Sequence, residues 1–190
     1  MIVLASTSPY RRQLLERLRL PFEVQAPKVD ETALRGETPM ATARRLAGAK
    51  ARRIAENFPH AIVIGSDQIA DLDGAPVGKP LTHEAALRQL MSLQGRQVVF
   101  HTALAVLWQA RSLEACVDTQ VRFRTLDRDR LDAYLRLDRP YDCAGSAKIE
   151  SLGICLVESV NSQDPTALVG LPMIELTSML AQLGVALPRI

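Results

Sequence analysis

Cysteine is scarce in this chain, and what there is shows no pattern. Cys116, Cys143 and Cys155 contain no C-x-x-C spacing, which argues against a disulfide framework and against a thiolate zinc site. His60, His83 and His101 are scattered without ligand spacing, so a metal, if used, is a hard cation held by oxygen. No apolar run approaches the roughly 18 residues that a bilayer-spanning helix needs. The N-terminal MIVLASTSPYRR has too short an apolar segment for a secretory signal, and its arginines lie on the wrong side of it. Together these absences lead us to expect a cytoplasmic protein. A net charge of only +2 implies no polybasic surface, and nothing resembles a nucleic-acid-binding module. We therefore expect neither a nucleic-acid nor a membrane partner. Internal repeats and low-complexity segments are also missing.

What is present is a core. With 190 residues, 47% hydrophobic and 23% charged, the chain can build one large domain or two closely joined lobes, and disorder is not expected. Ile2–Ala5 reads as a short buried strand. Ser8-Pro9 and Thr38-Pro39 each pair an N-cap with a proline at the first helical position, so helices are predicted to follow, the second to about Asn57. Phe22–Gln25 reads as a strand, Lys28–Glu37 as a loop and Ala61–Leu72 as a strand. Asp73-Gly74 is a hairpin signal, and Thr82 caps a helix to about Leu93. Gln97–Gln109 and Leu113–Arg124 form a pair of long strands, the second with Val117, Thr119, Val121 and Phe123 alternating with polar residues. Leu126–Leu137 is predicted helical, Ile154–Val160 extended, and Pro172–Leu183 a closing helix stopped by Gly184. The pattern points to a mixed α/β sheet flanked by helices, as one domain over 1–190, with two lobes around a cleft as the natural site.

Charge is unevenly placed: Arg11, Arg12, Arg44, Arg45, Lys50, Arg52 and Arg53 all fall in the first third. Most of these read as solvated helix faces; two do not. Arg11 lies three, four and seven residues before Leu14, Leu15 and Leu18, at the N-terminal end of an apolar stripe, whereas Arg12 groups with Glu16 and Arg19 on the wet face. Arg11 either packs its stem and snorkels or serves an anion at the helix start. Lys50 lies within the stripe formed by Ala43, Leu46, Ala47, Ala51 and Ile54. An unpaired ammonium there would cost several kcal/mol, so it pairs with a buried carboxylate, structurally or while lining a cleft. Asp67 follows the apolar run Ile62–Gly65, where open α/β sheets bind ligands; Glu31 follows the Phe22 strand similarly, and Gly78-Lys79-Pro80 offers another cation. Carboxylates and cations beside the Ser8 helix start make the mixed set that a polyphosphate with Mg²⁺ requires.

The stretch IVIGSDQIADLDG at 62–74 also contains a D-x-D-G, the nucleophile pattern of dehalogenase-type phosphatases. That motif belongs after the first strand, and the later acidic pair it needs is missing, so Asp73-Gly74 is read as a turn. Gly74–Lys79 has the wrong glycine spacing for a Walker A loop, and Gly65-Ser66-Asp67 is no G-x-S-x-G elbow.

ASTSPYRRQLL at the start, VDE at 29–31, AGAKA at 47–51, GSDQI at 65–69, GKPLT at 78–82, QGR at 94–96 and VGLP at 169–172 resemble the Maf family of nucleoside triphosphate pyrophosphatases, in the family's order and over nearly the whole chain. GSDQI and CAGSAKIESLGI at 143–154 resemble its 7-methyl-GTP subgroup; the dTTP/UTP subgroup carries a GADT-like stretch and Gln in place of Glu150. The resemblance implies a fold similar to inosine triphosphate pyrophosphatase, a divalent cation (Mg²⁺ or Mn²⁺), and hydrolysis between the α and β phosphates of a nucleotide substrate. Residue by residue it implies Asp67 as proton acceptor, with Glu31, Lys50 and Lys79 also catalytic. It places Ser8 and Arg11 on phosphate, Glu31 with Asp67 around the metal, and Tyr10, Gln68 and Glu150 in base selection. Members of this subgroup often carry Trp where this chain has Tyr10, so an aromatic face is kept. Two other readings remain open, a dTTP/UTP pyrophosphatase of the same family and a nucleotide-binding regulator of septum formation. Assembly is left open between monomer and homodimer.

Overall fold

The computed structural model describes residues 1–188. Seven strands among them form one sheet: β1 Ile2–Ala5, β2 Glu23–Gln25, β3 Ile62–Leu72, β4 Ala75–Val77, β5 Gln97–Trp108, β6 Arg111–Phe123 and β7 Val157–Ser162. The path runs β2-β1-β3-β5-β6-β7, with β4 paired to the far end of β3. β1 lies parallel to both β2 and β3, while β3, β5, β6 and β7 are successively antiparallel. The sheet is therefore mixed, as the pattern of elements predicts.

Five α-helices flank it: α1 Pro9–Glu16, α2 Pro39–Ala55, α3 His83–Leu93, α4 Arg128–Asp138 and α5 Met173–Gln182. The capping signals act where the sequence places them. Ser8, Thr38 and Thr82 accept from the backbone N–H groups of Arg11, Ala41 and Ala85, and prolines occupy the first positions of α1 and α2. α4 begins two residues later than expected, because the Asp127 side chain caps it by accepting from Arg130 N. The last strand also starts later: Leu152–Leu156 winds as a 3-10 turn and pairing begins only at Val157.

Strand periodicity sorts the core. Ile2, Leu4, Ile62, Ile64, Leu104 and Val106 face Leu14 and Leu15 of α1 and Leu176, Met179 and Leu180 of α5. The alternate residues Val3, Ala5, Val63, Ala103 and Ala105 face Ala43, Ala47, Ala51 and Ile54 of α2. A second lobe gathers the opposite ends of the long strands, Ala70, Val98, Phe100, Val121 and Phe123, under α3 and α4. β3 and β5 run through both lobes, and this continuity fixes the lobes against each other.

The cleft follows from a break in pairing. β1 accompanies β3 only to Gly65, and β4 joins it only at Ala70. Between them, residues 66–69 have β5 on one edge and no described strand on the other. Asp67 thus lies within the eleven-residue strand expected over Ala61–Leu72, and not at a strand's end as the apolar run Ile62–Gly65 alone suggests. The strand that ends is its parallel neighbour β1, and the site opens there.

Candidate active site

The break in the sheet holds a cleft of about 530 Å³, lined by Ser8, Tyr10, Arg11, Glu31, Lys50, Asp67, Gln68, Lys79 and Glu150 among others. Every side chain that the sequence nominated is brought there, although they span 142 positions between Ser8 and Glu150.

Lys50 and Asp67 form its centre. Both are nearly buried, at 5% and 6% exposure, and Lys50 Nζ donates to Asp67 Oδ1 at 2.6 Å. The same ammonium lies 2.6 Å from Glu31 Oε1. Lys50 is therefore both paired and cleft-lining, which answers the need of a cation on an apolar helix stripe. The pairing depends on how closely α2 approaches β3. A Cβ on Gly65 would meet Ala47 O at 2.3 Å and Ala51 N at 2.7 Å, so the strand must be bare there for Lys50 to reach the carboxylate two residues on.

Arg11 arrives from the other wall. Its Nε donates to Gly170 O at 2.8 Å, which orients the guanidinium and leaves its terminal nitrogens for a ligand. Burial lowers the Arg11 pKa, opposed by the charges of Asp67 and Glu31; a guanidinium stays charged regardless. Burial would raise the Glu31 carboxyl, but the Lys50 hydrogen bond and the charges of Lys50, Lys79 and Arg11 outweigh it, holding Glu31 below the ordinary glutamate value. Three cations thus surround Glu31 and Asp67, while Asp142 and Glu150 also line the cleft; the local grouping of cations suits an anionic ligand. Ser8 Oγ accepts from Arg11 N at 3.4 Å, and its own proton is left to donate outward at a helix N-terminus.

Lys79 sits on the loop into which the β3–β4 hairpin feeds. Asp73 and Gly74 both have positive φ, +54° and +86°, as a two-residue hairpin turn of the I′ kind requires. The D-x-D-G carboxylates are structural: Asp71 accepts from Gly74 N at 2.6 Å and lies 3.1 Å from His101 Nε2, and Asp73 pairs with Arg96. Gln89 Nε2 donates to Gly78 O and Leu81 N to Tyr141 O, both at 3.0 Å, which pins the loop at both ends.

Gln68 faces the opposite side of β3 from Asp67. Its Nε2 lies 2.9 Å from Thr102 Oγ1 and Ala167 O and 3.1 Å from Leu168 O. The amide nitrogen therefore anchors the loop over the cleft, leaving Oε1 for a ligand. Cys143 also lines the cleft, but burial pushes its thiol up to about 12. It is protonated at neutral pH and no nucleophile.

Residues that the sequence did not nominate hold this wall in place. Asp164, buried, accepts from Thr166 N, Thr166 Oγ1 and Ile174 N at 3.0, 2.6 and 2.7 Å. Thr166 Oγ1 in turn accepts from Met173 N at 2.8 Å. The two side chains thus cap α5 from a distance and brace the turn carrying Gly170, whose φ is +115°. The only signal for them is a D-x-T before a helix start, too common to single out. Asp164→Ala is expected to cost about 2 kcal/mol by orphaning those donors. It should also raise KM more than it lowers kcat, because the Gly170 carbonyl loses its grip on Arg11. Thermal unfolding and steady-state kinetics check both effects.

The donor set fits a hard divalent cation. Asp67 Oδ2 and Glu31 Oε2 have no protein hydrogen-bond partner among the described residues, and two carboxylates with substrate phosphates are how Mg²⁺ is commonly held. No group of three His, Cys, Asp or Glu side chains suited to a metal occurs among the described residues, so the remaining ligands fall to substrate and water.

Fold and cleft together define a mixed α/β protein with a site of paired cations and carboxylates set into a break in its sheet. Residues 1–183 match the family described as Maf-like protein, and the chain belongs to that family. It is 58% identical to the 7-methyl-GTP pyrophosphatase of Polaromonas sp. strain JS666, over 98% of this chain and 86% of that one. It is 59% identical to the Burkholderia thailandensis protein of the same name, over 96% and 87%. With the Methylobacillus flagellatus one it shares 53%, over 97% of each. Among solved structures, the Staphylococcus aureus Ham1 protein aligns with a TM-score of 0.47 and 18% identity over 64% of this chain and 71% of that one, a likeness too slight to build on.

Proposed function

We propose that this protein hydrolyses a nucleoside triphosphate, preferentially 7-methyl-GTP, between its α and β phosphates, giving the nucleoside monophosphate and pyrophosphate. The observation that carries the reading is the double pairing of Lys50 with Asp67 and Glu31 in a cleft that Arg11 and Lys79 also line. The names of relatives at 53–59% identity support the substrate class.

Arg11, Lys79 and the Ser8 helix start hold the triphosphate by charge and by hydrogen bonds. The incoming phosphates give Lys50 an alternative anion, which draws its ammonium from the carboxylates. Asp67 then takes the proton of the attacking water at Oδ2 as the new oxygen–phosphorus bond forms at the α phosphate. The bond from the α phosphorus to the bridging oxygen breaks, and pyrophosphate leaves with that electron pair, neutralised by Lys79 and Arg11. A divalent cation bound by Glu31 and Asp67 would supply further neutralisation of the leaving charge. At the base end, the Tyr10 ring offers a face to a 7-methylguanine that carries delocalised positive charge, and Glu150 can accept from its N–H edge.

A panel of nucleotides with Mg²⁺ or Mn²⁺ tests this. Pyrophosphate, not orthophosphate, is expected, with 7-methyl-GTP cleaved faster than UTP or dTTP. Faster cleavage of the pyrimidine nucleotides overturns the substrate assignment, and tight binding without any pyrophosphate leaves a nucleotide-binding regulator instead.

A further inference from the structure

Lys148 belongs to none of the roles above, yet it stands beside Tyr10 at the edge of the cleft. Its Nζ lies over the Tyr10 ring, 5.7 Å from the ring's centre, and the neighbouring Tyr10 side chain raises its pKa despite partial burial. Among the described residues it forms no salt bridge, and the charge of Asp142 acts on it only from beyond salt-bridge distance. Its position is set by the fold. Lys148 N donates to Tyr134 OH at 3.1 Å, and Gly153 packs so tightly against it that a Cβ would meet Lys148 O at 2.4 Å. The neighbouring Ala147, Ile149 and Glu150 all line the cleft.

A half-buried ammonium over a neutral phenol ring, with no ion pair to a carboxylate among the described residues, is a donor that lacks its best acceptor. Two residues further on, Glu150 is an acceptor without a donor. A 6-oxopurine presents the matching pattern, since its carbonyl O6 accepts while the adjacent N1–H and 2-amino group donate. In guanine, N7 is a second acceptor beside O6; a 7-methyl group removes it and leaves O6 alone on that edge. Adenine, with an amine in place of O6 and a bare N1, would set donor against donor and acceptor against acceptor.

Resting on the nucleotide reading given above, we propose that Lys148 is a specificity-determining residue that donates to the O6 carbonyl of a 6-oxopurine base, as the partner of Glu150. The Tyr10 ring, which the ammonium lies over, holds it beside the base position. Lys148 selects the base and takes no part in phosphate chemistry.

The test compares GTP with 6-thioguanosine triphosphate, which keeps N1–H and the 2-amino group but replaces O6 by a poor acceptor. Binding is measured by calorimetry in EDTA, and pyrophosphate release with Mg²⁺. The native protein should bind the thio analogue about tenfold more weakly than GTP, in line with one lost charged hydrogen bond. In Lys148→Met, GTP binding should fall by that factor and the thio analogue should be almost unaffected, so that the two converge. Lys148→Arg should restore part of the preference, and kcat should stay within about threefold throughout. Equal weakening of both nucleotides in Lys148→Met would overturn the proposal and make the lysine structural. A gain for 7-methyl-GTP over GTP in that variant would overturn it differently, showing that the ammonium repels a cationic base. Because binding is read without turnover, an absence of pyrophosphate with every nucleotide would count against the hydrolytic reading alone.

Discussion

Replacing Asp67 by asparagine is expected to lower kcat for pyrophosphate release by about 10³-fold, within the range that a positioned general base supplies. The substitution keeps shape and a hydrogen-bond acceptor for Lys50, which also retains Glu31 as a partner, so the cleft should remain assembled. What disappears is a basic oxygen facing the attacking water. Arg11, Lys79 and Ser8 are untouched, so the nucleotide should still bind within a few-fold of its native affinity. Calorimetric binding next to a pyrophosphate-release assay separates the two effects. Full turnover in Asp67→Asn would remove the carboxylate from the role of proton acceptor. Loss of binding together with turnover would show instead that Asp67 mainly holds the charge balance of the cleft.

Asp67 and its partners were legible because each signal is local. Ser8-Pro9, Thr38-Pro39 and Thr82 act within four residues of themselves, and the helices they begin appear where expected. A charged residue on an apolar stripe is equally local, and it singled out Arg11 and Lys50. The carbonyl of Gly170 that orients Arg11 lies 159 positions away, and no periodicity announces such a contact. The segment from Cys143 to Leu156 alternates turns with short 3-10 pieces. It offers no period of either 2 or 3.6, so nothing in it marks Lys148 or shows that the strand expected from Ile154 begins only at Val157. The apolar run Ile62–Gly65 suggests that Asp67 stands at a strand's end, although the strand expected over Ala61–Leu72 contains it. The strand continues, and what matters is that its parallel neighbour stops, a fact about pairing rather than about residues 62–72 themselves. The D-x-D-G illustrates the converse: a strong local pattern was outweighed by another local pattern, the Asp-Gly turn.

The close approach at Gly65 yields the largest expected effect on stability. Gly65→Ala places a methyl carbon 2.3 Å from Ala47 O and 2.7 Å from Ala51 N, both backbone atoms of α2, so no side chain can swing aside. α2 must retreat from β3 along its middle. Overpacking of this kind costs about 1–3 kcal/mol or more, and a chain of this size should lose roughly 3–10 °C in Tm. The same retreat carries Lys50 away from Asp67, and a displacement near 1 Å at reacting groups can cost about 10²-fold in rate. Turnover should therefore fall further than the stability loss alone explains, and should not recover when measured well below the new Tm. Gly78→Ala is the control. Nothing lies within 4 Å of a Cβ there, so its Tm should stay within about 1 °C of the native value. A Gly65→Ala protein with native Tm and native kcat would mean that α2 and β3 slide apart freely. The Lys50–Asp67 pair would then be held by its own attraction rather than by the packing of helix on strand.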